Sequence, residues 1–181
     1  MKNVLLVLLN LACVSIAYLG CSDDNGGNGG SGNSVWDGTI NGQTAQFLIS
    51  SQAASTQADG GVLLSVGGNS SLGDLIGSID VAGGTPIDLT APDETTPPSA
   101  TIQVGATGVT VSITVEGIRY FGTSGSVTFT AYGPNIGESV EGSLDVGFVS
   151  VGQQTTQGSA TLSGTFSSIV AAPVPTPTPT P

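Results

Sequence analysis

The chain has 181 residues, 28 of them Gly, with 8% charged residues, which is the size of one domain with tails. It carries 13 acids against two basic side chains, has no His, and has a formal charge of −11. That balance excludes phosphate-backbone recognition, which works through Lys and Arg. It also removes His-dependent nucleophilic triads and the usual zinc, copper and haem ligands.

The chain opens on Lys2, an apolar run from Val4 to Leu9, Asn10, and small or apolar residues up to Gly20 and Cys21. A positive start, a short hydrophobic middle and a small residue at the cut mark a secretory signal. The run falls short of the ~20 apolar residues of a spanning helix. With Cys21 behind Gly20, the segment resembles a bacterial lipoprotein signal peptide. The resemblance implies cleavage after residue 20 and acylation of Cys21, which makes residues 1–20 the signal. It implies handling by the lipoprotein export and processing machinery, and membrane contact through the N-terminal lipid. Ser22 after Cys21 resembles the arrangement sent to the outer membrane, so an outer-membrane or cell-surface location is expected. After cleavage Arg119 is the sole cation against all 13 acids, which disfavours electrostatic attachment to anionic lipid. Cys13 leaves with the signal, so no thiol remains for a disulfide.

Residues 21–34 hold the acylated Cys and a Gly/Asn/Ser-rich tether without apolar side chains. A dozen such residues reach roughly 20 Å. The fold is expected over 35–170. Asn41-Gly42 suits a type I′ turn between strands at 35–40 and 43–50. Residues 52–61 read as a loop, 62–66 as a short strand closed by Gly67-Gly68, and 72–81 as a strand with a possible bulge at Gly77. The early part of that last segment also allows a turn of helix. Residues 83–100 contain Pro86, Pro92, Pro97 and Pro98 and read as a surface loop, with an edge strand possible at Ile87–Leu89.

The alternation is then plain. Val109, Val111, Ile113 and Val115 face one side, and Thr110, Ser112 and Thr114 the other. Glu116-Gly117 turns the chain into a short strand at 118–121. A separate strand at 126–131, a turn at Gly133-Pro134-Asn135, and strands over 140–148 and 160–170 follow. Eight to ten short strands predict an all-β fold: an antiparallel β-sandwich or partly closed barrel. Residues 171–181 are a Pro/Thr tail that favours extended polyproline II. The motifs Val140-Glu-Gly-Ser-Leu144 and Leu162-Ser-Gly-Thr-Phe166, after Ser126-Val-Thr-Phe-Thr-Ala-Tyr-Gly133, resemble the C-terminal strands of small β-rich domains on bacterial surface lipoproteins. The resemblance covers about residues 125–169 and implies no catalytic residue.

Three kinds of candidate site remain. Trp36, Tyr120 and Tyr132 are the aromatics for a sugar platform; their alternative place is the core or its rim. Arg119 is expected to pair with Glu116 across the turn, or to hold an anionic ligand. Asp88, Asp93 and Glu94 share one irregular loop and are the candidate calcium ligands, the alternative being a plain acidic loop. No cofactor beyond that calcium is expected. A carboxylate-pair glycoside hydrolase would draw on Glu116, Glu138, Glu141 and Asp145. Glu141 and Asp145 share a strand face about 13 Å apart, which makes solvated surface charges the simpler reading. The expectation is a non-enzymatic lipoprotein with a structural, adhesive or binding role. Its partner would be a polysaccharide or a surface protein, not nucleic acid.

Overall fold

The computed structural model describes residues 34–91, 93–105, 108–150 and 158–172. The signal, Cys21, the tether to residue 33 and the tail from 173 lie outside the described residues.

Nine strands form in chain order: β1 (Ser34–Ile40), β2 (Gln43–Thr56), β3 (Val62–Ser70), β4 (Gly73–Val81), β5 (Ala100–Gln103), β6 (Val109–Val115), β7 (Ile118–Tyr132), β8 (Ser139–Ser150) and β9 (Ser159–Ala171). No helix occurs among the described residues. Pairing runs β7-β6-β4-β3-β2-β1-β9-β8 and returns from β8 to β7, so the sheet closes into an eight-stranded antiparallel barrel. Closure resolves the choice between sandwich and barrel. β5 is an additional strand on β7. It lies along Ser126–Phe129, whereas β6 lies along Ile118–Phe121 of the same edge. β5 and β6 are thus two collinear pieces of one wall.

The apolar alternation decides which face closes inward. Phe47, Leu64, Ile79, Ile113, Phe129, Phe148 and Leu162 are all buried. Asp37, Gln46, Asp145 and Thr161 point out. A barrel of eight strands is just wide enough for its own side chains. A membrane-spanning barrel carries the reverse polarity, with an apolar outer band. Hydroxyl pairs strengthen the outer wall where strands are in register: Thr39 with Thr161 at 3.0 Å, Ser78 with Ser112 at 2.9 Å, and Thr101 with Thr128 at 2.9 Å.

Five expectations change. β2 runs on to Thr56 instead of ending in a loop at 52. A bulge between Ile49 and Ser51 resets its alternation and turns Ala54 inward. β3 continues through Gly67 and Gly68 to Ser70. Gly77 is no bulge; it pairs in regular register with Val66 and Ile113. Residues 118–121 and 126–131 belong to one strand, β7, bent by bulges between Gly122 and Ser124 and between Phe129 and Ala131. Residues 87–89 form no strand. Ile87 and Leu89 pack against the core from a connection pinned by a Thr90–Ser99 bridge.

β1 is short, and the fork where it leaves the sheet is filled. Beyond Ser34, β2 and β9 meet directly in a short parallel pair, Ala54 with Val170. Gln52 plugs the fork: its amide donates to Ser34 Oγ at 3.0 Å and its carbonyl accepts from Ser167 N at 2.9 Å. Ser34 and the last residues of β9 therefore share one end of the barrel.

Candidate functional site

The strands run between two mouths. One mouth carries both described chain ends, the β2–β3 and β7–β8 turns and the connection at 82–99. The opposite mouth carries the hairpins β1–β2, β3–β4 and β6–β7. Asn41-Gly42 and Glu116-Gly117 make their turns with positive φ at both residues, 51° and 79° in the first and 49° and 79° in the second. That is the type I′ geometry that matches strand twist.

Asn41 does more than turn. Its Nδ2 donates to Tyr120 Oη at 3.1 Å, and its Oδ1 accepts from Ser159 N at 3.1 Å. One side chain therefore joins the β1–β2 turn to β7 and to the start of β9. Between these turns lies a hollow of about 270 Å³. Its apolar lining includes Ile40, Leu72 and Ile118, and its polar lining residues include Asn41, Gln43, Glu116 and Tyr120. Glu116 lies across Gly73 and also borders a second, outer hollow of about 430 Å³, where Asp74, Ile76 and Thr114 meet.

The aromatic platform is not assembled; Trp36 and Tyr120 take the core placement that the sequence offered as the alternative. Trp36 is 0% exposed and Tyr120 1% exposed, both inside the barrel. Trp36 donates from Nε1 to Thr165 O at 3.0 Å. Its indole rests on Gly164 and reaches Gly77 on β4; a side chain at Gly164 would collide with it. Tyr132 is half-buried, edge-on to Phe129 with centroids 5.4 Å apart. Burial, with a lesser push from Asp59, raises its phenol above the ordinary range. The inward alternation of β1 and β7 claims Trp36 and Tyr120 because each buries a large apolar area. Of these aromatics, Tyr120 lines the hollow between the turns.

Arg119 and Glu116 take different neighbours. The guanidinium carbon sits 4.6 Å from the centroid of the Phe121 ring, while Glu116 leans over Gly73. Cation–ring stacking of this kind is favourable at an exposed site.

Asp88, Asp93 and Glu94 are all exposed, and no group of three potential metal ligands forms among the described residues. Asp93 spends its carboxylate locally. Oδ1 accepts from Thr95 N, Thr95 Oγ1 and Thr96 N at 2.8, 2.6 and 2.9 Å, and Oδ2 from Thr96 Oγ1 at 3.1 Å. The bonds from Thr95, then Thr96, hold its pKa down at about 2. Asp59 is likewise lowered, by the amides of Gly83 and Gly61. Of the four acids weighed for hydrolysis, Glu141 and Asp145 stay on the outside of β8 and Glu138 caps Asn135 at 2.9 Å.

Compared with family models, curated proteins and solved structures, the chain matches none. Reading the sequence alone located the turns at 41–42 and 116–117 but not their meeting around Tyr120. Leu72 and Ile118, which complete the hollow, carry no local signal.

Proposed function

We propose that the protein is a lipid-anchored, extracytoplasmic lipoprotein, held at the outer membrane or cell surface, that binds a partner without catalysing a reaction. The observation that supports this reading is where the described chain enters and leaves the barrel. Ser34 and Ala172 leave the barrel at the same mouth, so an anchor at Cys21 would present the opposite, hollowed mouth outward. The mouths of β-barrels are recurrent ligand sites. The polar outer wall and the scarcity of cations suit a domain surrounded by water and standing off anionic headgroups.

Mass spectrometry of the protein purified from its native cells tests the anchor. We expect an N-terminus at Cys21 carrying the mass of fatty chains, and loss of membrane fractionation in Cys21→Ala. An intact Met1, or a free thiol on a chain recovered without lipid, overturns the anchored reading.

A further inference from the structure

We propose that the hollow between the β1–β2, β3–β4 and β6–β7 turns binds one neutral sugar ring. The inference rests on the binding role proposed above and not on the anchor.

Size sets the first limit. At roughly 30 Å³ per water, about 270 Å³ holds about nine waters, close to a single hexose and far from an oligosaccharide. Chemistry sets the second. A sugar ring offers an apolar C–H face and a rim of hydroxyls that both donate and accept. The lining offers both kinds of group: Ile40, Leu72 and Ile118 are apolar, and Asn41, Gln43, Glu116 and Tyr120 are polar.

The Tyr120 hydroxyl is the most specific of these groups. Tyr120 as a whole is only 1% exposed, so the barrel fixes its side chain and only a small edge of it can meet a ligand. Asn41 Nδ2 occupies one of its lone pairs, which fixes the oxygen and leaves the phenolic proton to donate into the hollow. A buried hydroxyl held in this way favours a ligand oxygen over an apolar group, because a site built to hydrogen-bond rejects an analogue that leaves it unpaired. Charge argues for a neutral ligand. Among the described residues Glu116 is the one carboxylate lining the hollow, and it repels anions. Arg119 lies on the outer face against Phe121 and is not a lining residue. Glu116 serves as an acceptor for a pair of sugar hydroxyls.

The test uses the full mature chain from Cys21, in detergent, with the methyl glycosides of glucose, galactose, mannose and N-acetylglucosamine as probes. Ligand-observed NMR reads binding. At least one probe should saturate with a Kd on the order of millimolar, as expected for a ligand this small in an open site. Tyr120→Phe should weaken that probe about five- to tenfold, the worth of one neutral hydrogen bond. Ile118→Arg is the second variant; its side chain is 36% exposed, so the core is untouched, and it should abolish binding by filling the hollow. Failure of all four probes on the unsubstituted protein overturns the proposal, and so does binding that survives Ile118→Arg. Binding that survives Tyr120→Phe overturns the role given to the hydroxyl. A lipid-free protein that still binds would sink the anchor and leave this site standing; a lipidated one that binds no probe would do the reverse.

Discussion

At the mouth remote from Ser34 and Ala172, the described connections are tight hairpins. At the mouth that carries Ser34 and Ala172, a long proline-rich connection runs from residue 82 to 99. The first mouth is tied by one amide spanning three strands, Asn41 to Tyr120 and Ser159. The second is tied by carboxylates that each serve their own neighbourhood, Asp59 on Gly61 and Gly83, and Asp93 on Thr95 and Thr96. Short type I′ turns leave room between them, whereas the long connection drops Ile87 and Leu89 onto the core. Among the described residues, the two mouths thus differ in connection length, with tight turns at one and a long connection packed on the core at the other.

The largest effect should come from the wall that both ends share. Trp36→Ala removes the indole bridging Gly164 and Gly77 and should cost about 3–5 kcal/mol. Urea denaturation followed by far-UV circular dichroism measures it, and a loss under 1 kcal/mol would mean the indole is not the central packing element described. The next test separates the two hairpins. Asn41→Ala strips two hydrogen bonds and forces Ala into positive φ, at a cost of about 2–3 kcal/mol. Glu116→Asn puts a better residue at the equivalent turn position and should gain about 0.5–1 kcal/mol. Equal losses in both variants would show that the two turns do not differ as their contacts indicate.

The smallest effect belongs to the covered mouth. Asp93 has its pKa lowered to about 2, so its contribution is present above the ordinary carboxylate range and is lost as pH falls through about 2. Carboxyl NMR titration should place its midpoint near 2, with faster exchange of the Thr95 and Thr96 amides below it. A midpoint near 4, or unchanged exchange in Asp93→Asn, would contradict the turn geometry.

Much of the fold was legible along the chain. The alternation of Val109 to Val115 and of Val140 to Phe148 gave both strands and their inner faces, because side chains alternate sides along any strand. The extension of β2 was hidden because its outer residues are polar and its bulge breaks the period. The continuity of β7 is hidden for the same reason, because a bulge at Gly122 to Ser124 interrupts its alternation. The aromatics were legible as residues but not as positions. Trp36 and Tyr120 suit a platform or a core equally well until a closed sheet decides which side is inside.

By itself, then, the amino-acid order determined the period-2 strands, the Asn41-Gly42 and Glu116-Gly117 turns, and the near absence of cations, all of which depend on neighbours a few residues apart. Tertiary structure alone decided that the sheet closes, that Trp36 lies on Gly164, and that Asn41, Leu72, Ile118 and Tyr120 surround one hollow. Those outcomes need residues as far apart in sequence as 36 and 164 to meet, and only the register of a completed barrel brings them together.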